Sequence, residues 1–432
     1  MLEPIPSIIL ENGLEIKLKE IHTAPVISSW VWYRVGSRDE IPGKHGISHW
    51  VEHMQFKGTD RFPADVIEKG VARAGGVWNA FTYLDWTTYF ESMPTDKIDL
   101  ALGLEADRMK NTRYEPEEVE SERTVIISER QGRENNPGFW LNEAMHNAAF
   151  RTHPYGHTII GDKVDLESMT QDDLYSHYQS YYSPSNAVIA IAGDFEKDKM
   201  LEQLTELYKD IPAGTEPPRI NRPELPQRGE HRLTVEGPGD TILGDVVYHT
   251  PEASHPDFFP LLILDSILSG PQGLNMFGGG GISNKTSRLY DRMVENDEVV
   301  VDVHGGLPAT IDPYLYSLNF ILHPSSTPEA AMKVLDEEIQ RMQDSPPRQE
   351  ELQRALKQTQ ALFAYGGESI TNQAFWMGFS EMFAKYEWVT DYLKNLEAVT
   401  PEDVQRAAQT YLQPQNRLVG FYHPQNKGGN NK

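Results

Sequence analysis

The sequence predicts an α+β protein built as two related domains. Three observations carry this expectation. Stretches that alternate apolar and polar residues, rich in β-branched and aromatic types, interleave with amphipathic helical patterns along the chain. A stretch holding Pro212, Pro217, Pro218, Pro223 and Pro226 among polar residues interrupts the 432-residue chain near its middle; it is semi-extended and cannot form a helix. Finally, Thr170, Asp173, Tyr181, Pro184 and Asn186 recur as Thr400, Asp403, Tyr411, Pro414 and Asn416, always at an offset of 230, and each set precedes an apolar strand. The expected division is a first domain over 1–210, a proline-rich linker over 211–230, a homologous second domain over 231–425 and a flexible tail over 426–432.

The elements follow in order. Residues 8–20 and 25–36 read as strands, with a turn at Asn12-Gly13. A polar loop leads to a helix over about 46–56, which stops at Gly58. A short helix from Pro63 to Gly75-Gly76, a strand pair over 77–93 and helices at about 95–111 and 116–133 come next. After Pro137 there is a helical segment, then a loop over 153–161, a helix over 170–182, a buried strand over 187–195 and a helix to about 208. The second half offers strands at 231–236 and 241–249, an apolar helix at 257–269, a glycine run at 278–281, and strands at 298–305 and 314–323. Thr327-Pro328 caps a helix to about 343, and a longer helical region begins at Arg348.

Composition narrows the function classes. A net charge of −25 repels nucleic acid and anionic membrane surfaces, and favours basic partners. No cysteine is present, so disulfides and thiolate metal sites are excluded and a metal would need His, Asp or Glu. No apolar run is long enough to span a bilayer. Without a basic n-region and apolar h-region at the N-terminus, the default compartment is the cytoplasm; a removed targeting segment would make it periplasmic or organellar.

The stretch GISHWVEHMQFKGT (46–59) carries the chemistry. His49 and His53 are four residues apart and share one helix face, so both can address one ion. Two imidazoles suit Zn²⁺. Glu52 reaches the same space, where a hydrolase needs a general base beside metal-activated water. The order H-x-x-E-H inverts the commoner zinc-protease helix. A chain with 14 His and 64 acidic residues can produce such a pattern by chance, so a third ligand decides. On the helix EPEEVESERTVIISERQGR, Glu122 and Glu129 lie two turns apart near Val119 and Ile126. Two carboxylates on a partly apolar, inward face call for a cation. Glu117, Glu118 and Glu120 read as a solvated face.

Together these stretches resemble the pitrilysin and mitochondrial-processing-peptidase family of zinc peptidases, the inverzincins. The resemblance rests on GSRDE (36–40), GISHWVEHMQFKGT, GGVWNAFTYLDWTTY (75–89), EPEEVESERTVIISE (115–129), HPYG (153–156) and YYSPSNAVIAIAGD (181–194), and it extends over nearly the whole chain. It implies two homologous domains, each a mixed, mostly antiparallel sheet packed with helices, forming half of a clam-like chamber. It implies one Zn²⁺ per chain on His49, His53 and Glu129, with Glu52 as general base. Glu122 would support a ligand histidine or the water. Asn79 and Ala80 would lie on an edge strand that accepts a peptide substrate; for Asn79 the alternative is a turn or a cap.

One departure matters. Active members position substrate with an Arg and a Tyr in a context resembling SRLFxxLRExxGLAYSV. Aligned on Ser287-Arg288-Leu289, this chain has Val294 for the Arg, Glu298 for the Gly and Val301 for the Tyr. Valine neither donates a hydrogen bond nor carries charge. Either a homologous partner subunit supplies the pair in a heterodimer, or Arg292 and Tyr314 do so locally. The expected function is a zinc-dependent endopeptidase subunit acting on peptides or unfolded polypeptide segments; the alternative is a non-catalytic scaffold or peptide-binding subunit. The phosphate-loop-like GGGGISNKTS (278–287) has Asn284 where the second Gly belongs, and no Walker-B-like strand accompanies it.

Overall fold

Strands form where the alternation places them, and they gather into two sheets. The computed structural model describes residues 3–274 and 283–425; the glycine run at 278–281 and the tail at 426–432 lie outside the described residues. Strands β1 (Ile8–Ile9), β2 (Glu15–Glu20), β3 (Val26–Tyr33), β4 (Val77–Thr82), β5 (Thr87–Pro94) and β6 (Ala187–Gly193) pair in the order β1-β2-β6-β3-β5-β4. Strands β7 (His231–Gly237), β8 (Leu243–Thr250), β9 (Val300–Gly306), β10 (Tyr314–Leu322) and β11 (Arg417–Pro424) pair in the order β7-β11-β8-β10-β9. Among the described strands only β2 with β6 and β7 with β11 run parallel. Both sheets are therefore mixed, mostly antiparallel and packed with helices, as the sequence led us to expect.

The repeat has a structural meaning. Thr170 and Thr400 each cap a helix, Gln171–Tyr181 and Pro401–Tyr411, and each forms a reciprocal capping box with the Asp three residues on. Asn186 donates to the carbonyl of Tyr181, and Asn416 to that of Tyr411, both at 2.8 Å. Pro184 and Pro414 start the short turns that feed β6 and β11. The five repeated residues thus build the same helix-to-strand exit twice.

Two compact units result, and neither is continuous in sequence. The first comprises residues 1–131, 157–222 and 367–390; the second comprises 132–156, 223–366 and 391–432. This grouping cuts across the contiguous division drawn at the linker. The reason is layering: an apolar sheet needs cover on both faces. In the first unit the helix Ile370–Phe383 lies on β3 and β6. Phe375 meets Trp30 edge-on at 5.2 Å, and Trp30 stacks on Phe90 at 4.3 Å. In the second unit the helix Pro137–Ala149 covers β7, β8 and β11. Each sheet therefore borrows one covering helix from the other half of the sequence.

Among the described residues no helix is long and apolar enough to cross a membrane. The longer helical region expected after Arg348 consists of Gln349–Gly367, Ile370–Phe383 and shorter pieces. Ser369 caps the second piece by accepting from the Asn372 amide.

Candidate metal centre

The site is built on the helix Ile47–Met54, which lies in the first unit. Trp50, Val51 and Met54 are fully buried and fix its inward face. Its N-terminus is held by Glu40, which accepts from the backbone of Gly46 at 2.7 Å and Ser48 at 2.9 Å. A carboxylate there satisfies orphan amides and complements the helix dipole. Gly46 has φ +96°, and a Cβ would stand 2.6 Å from the Ile160 carbonyl oxygen, so glycine is required on two counts. His157 Nε2 donates to Glu40 Oε2 at 2.9 Å. Glu40 of GSRDE and His157 thus meet behind this helix and orient it.

His49 and His53 face outward from it, with ring centroids 4.6 Å apart. The helix Pro116–Glu134 brings in the carboxylates. It is anchored by Arg123, which lies over the Trp50 ring at 4.7 Å and donates to the Met169 carbonyl at 2.8 Å. Arg130 donates to the Gly161 carbonyl at 2.6 Å. Glu129 Oε2 then sits 3.8 Å from His49 Nε2 and 3.7 Å from His53 Nε2. A tetrahedral Zn²⁺ with bonds near 2.0–2.1 Å holds its ligand atoms about 3.4 Å apart. The observed separations exceed that by a few tenths of an ångström, so this His₂Glu donor set fits the ion. Donor atoms of His49, His53 and Glu129 all lie within 4.8 Å of one another.

Glu122 occupies a different place. Its Oε1 is 2.7 Å from His53 Nδ1, on the far side of the ring from Glu129, and its Oε2 pairs with Lys57. The carboxylate therefore accepts Nδ1–H and leaves the Nε2 lone pair directed at Glu129. Burial opposes ionisation of Glu122, but the His53 and Lys57 contacts hold its pKa below the usual carboxylate value. For His53 burial works against the charged form, yet the bond to Glu122 and the nearby Glu52 and Glu129 raise its pKa. Glu52 is 7% exposed. Burial pushes its carboxyl up to about 6, against the hydrogen bond that Thr82 Oγ1 donates to Glu52 Oε2 at 2.6 Å.

The sequence-level candidates are thus brought together except for the peptide-binding pair. Ala80 is buried on β4, the terminal strand of its sheet, and pairs with Tyr89. Asn79 is exposed on the opposite face and accepts from the Ala80 amide at 2.9 Å, a local cap-like bond. Sequence reasoning missed Thr82, Lys57 and Glu40. Lys57 lies four residues past His53, so continuing the helix face would have found it; Thr82 and Glu40 depend on tertiary contacts. A second convergent group, His45, Asp162 and Asp165, also exists. Its donors already bond each other: the His45 amide donates to Asp165 at 2.9 Å, and Nδ1 meets Asp162 at 3.2 Å. It ties down the Gly46 turn.

In the second unit the departures from the family pattern are visible. Val294 is half-buried in a π-helical turn and Val301 is exposed on β9. Arg292 is bound to Asp297 at 2.8 Å and Glu337 at 3.2 Å, while Tyr314 bonds His146 at 2.5 Å. The two local stand-ins are held by other partners. Glu298, where the family pattern has Gly, is the one non-glycine residue with positive φ among those described, at +47°.

The chain is similar to known proteins along most of its length. Residues 15–163 match the family model described as insulinase, peptidase family M16, and residues 168–359 match the one described as peptidase M16 inactive domain. An uncharacterised zinc protease of Streptomyces coelicolor is 26% identical over 95% of this chain and 88% of its own. The mitochondrial-processing peptidase subunit beta of Lentinula edodes is 25% identical over 93% and 86%. The crystal structure of a protease from Helicobacter pylori superposes with a TM-score of 0.92 at 27% identity, over 98% of this chain and 100% of that one.

Proposed function

The chain belongs to peptidase family M16, and on that footing we propose that it is a zinc-bearing endopeptidase subunit acting on peptides and unfolded polypeptide segments. The observation that carries this reading is the convergence of His49, His53 and Glu129 beside the buried carboxylate of Glu52. In this reading the three donors hold one Zn²⁺, whose contribution is Lewis acidity toward a peptide carbonyl and water. Glu52 takes a proton from the attacking water and returns it to the leaving amine. Thr82 fixes the Glu52 carboxylate through its 2.6 Å bond, so the base does not need to reorient. Glu122 keeps His53 in the tautomer that offers Nε2. The free side of β4, which ends its sheet, supplies main-chain donors and acceptors for an extended substrate near Ala80.

Val294 and Val301 leave no Arg and Tyr at the positions the family uses to steady substrate. The reading therefore includes a homologous partner subunit that contributes them, each chain forming half of an enclosed chamber. The relative from Lentinula edodes is itself described as a subunit. The test measures zinc content and cleavage of an unstructured peptide by this chain, alone and mixed with a homologue carrying the Arg and Tyr. One zinc per chain and cleavage only in the mixture are expected. Glu52→Gln should keep the metal and lose about 10²–10⁴-fold in rate. Full activity of the isolated chain removes the partner from the reading. A zinc-loaded chain inert in every mixture favours a peptide-binding scaffold instead.

A further inference from the structure

The internal repeat allows the two sheets to be compared position by position. Ala190 of β6 lies opposite Trp30 of β3, and Gly420 of β11, 230 residues later, lies opposite Asp245 of β8. Trp30 and Asp245 are therefore equivalent. The same registers make Phe90 equivalent to Asn319 and Asn79 equivalent to His304. In the first unit this row is filled by the stacked rings of Trp30 and Phe90 under the helix Ile370–Phe383. In the second unit the same row is polar, Asp245, Asn319 and His304, and it lies beside a cavity of about 430 Å³ edged by the helix Pro137–Ala149. That volume falls within the range of small-molecule and side-chain pockets.

We propose that this cavity in the second unit binds the cationic side chain, arginine or lysine, of a peptide laid along β9. Asp245 lies in its wall and is 5% exposed. Asn319 donates to Asp245 Oδ1 at 2.7 Å, which orients the carboxylate and leaves Oδ2 for a further donor. Asp302 lies at the rim, bonded to His304 at 2.6 Å. Leu141, Leu243 and Ile321 supply apolar walls that suit an alkyl stem. Among the described residues no Lys or Arg lines the cavity, so an anion finds no countercharge there. Asp245, Asp302 and His304 are not among the described groups whose donor atoms converge for a metal ion. Burial pushes the Asp245 carboxyl up to about 7, a penalty that an incoming cation relieves.

The position of the cavity indicates how the cation arrives. β9 ends its sheet, so its outer edge can pair with an added extended strand. Alternate side chains of that strand would fall on the face that Asp302 and His304 share. The net charge of −25 draws basic peptides to the chain. The inference rests on the reading of this protein as one that handles peptides, but not on cleavage.

The test uses the full-length, zinc-loaded chain carrying Glu52→Gln, so that peptides persist. Binding of a fluorescent unstructured peptide with one arginine is compared with the same peptide carrying citrulline, which has nearly the same shape and no charge. A lysine and norleucine pair forms the second arm. The cationic peptide of at least one pair should bind about tenfold or more tightly than its neutral twin, as a charge-assisted bond to a buried carboxylate requires. Asp245→Asn should bring the ratio close to one. Asn142→Trp, at the exposed rim, should weaken the cationic peptide while zinc content is unchanged. Equal binding of charged and neutral peptides in both arms would overturn the proposal. So would a cation preference that survives Asp245→Asn. Cleavage of a peptide lacking arginine and lysine by the unaltered chain mixed with the homologue carrying the Arg and Tyr tests the peptidase reading separately, so the two can fail independently.

Discussion

Replacing Glu122 by glutamine separates a residue that supports a ligand from one that is a ligand. Glu122 meets His53 at Nδ1, whereas Glu129 faces His53 and His49 through Nε2. Glutamine keeps the size and one acceptor but removes the charge that strengthens the 2.7 Å bond, and it takes from Lys57 the nearer of its two carboxylate partners. The Glu122 side chain is only 6% exposed, so water screens little of the loss. Carboxylates behind metal-binding histidines are worth roughly 10–100-fold in metal affinity or activity. That corresponds to about 1.4–2.7 kcal/mol. Zinc affinity is measured by competition with a chromophoric chelator, with bound metal counted in parallel. The expected result for Glu122→Gln is a Kd raised 10–100-fold with one zinc still bound at saturation. Glu129→Gln should instead lose stoichiometric zinc. An unchanged Kd for Glu122→Gln, or loss of its zinc altogether, would refute the assignment of these two carboxylates.

Other outcomes follow from features of the second unit. Glu298→Gly should stabilise the protein by about 0.5–1 kcal/mol in urea unfolding, because a left-handed L-residue costs about 1–2 kcal/mol and glycine returns part of that as unfolded-state entropy. Asp245 has a folded-state pKa of about 7 against 3.8 unfolded. The folded state therefore binds the extra proton between those values, and stability present below pH 4 is lost as pH rises to 7. Asp245→Asn should flatten that fall. The variant should match the parent near pH 4 and exceed it above pH 7 by an amount on the order of 4 kcal/mol at most. Equal pH profiles for parent and variant would contradict the buried-carboxylate assignment.

What the sequence made legible is what is local or periodic. The i, i+4 spacing of His49 and His53 and the two-turn spacing of Glu122 and Glu129 survive folding because each pair rides on one helix. The capping boxes at Thr170 and Thr400 are equally local. Thr82 was missed because its contact with Glu52 joins a strand to a helix 30 residues away, and nothing in its neighbourhood marks it. Glu40 read as part of a polar loop, yet it caps the metal-site helix. The borrowed helices were missed for a different reason. An amphipathic pattern shows that a helix has an apolar face, not which sheet receives it. Asp245 stands in the expected strand 241–249 with nothing local to mark it; only the registers of both sheets reveal that its counterpart is a buried tryptophan.

The borrowed helices also set a timetable for synthesis. By the time β6 has left the ribosome, the strands of the first sheet are all available to pair. Its Trp30, Trp32 and Phe90 face nonetheless waits for the helix Ile370–Phe383, roughly 190 residues later. At 5–20 residues per second that is a delay of roughly 10–40 s. Throughout it, a nascent chain presents stacked aromatic surface with no intramolecular cover. The helix Pro137–Ala149 waits in the same way for β7, β8 and β11. Neither half can finish as an independent unit, so a truncation at the proline-rich linker separates each sheet from one of its own layers.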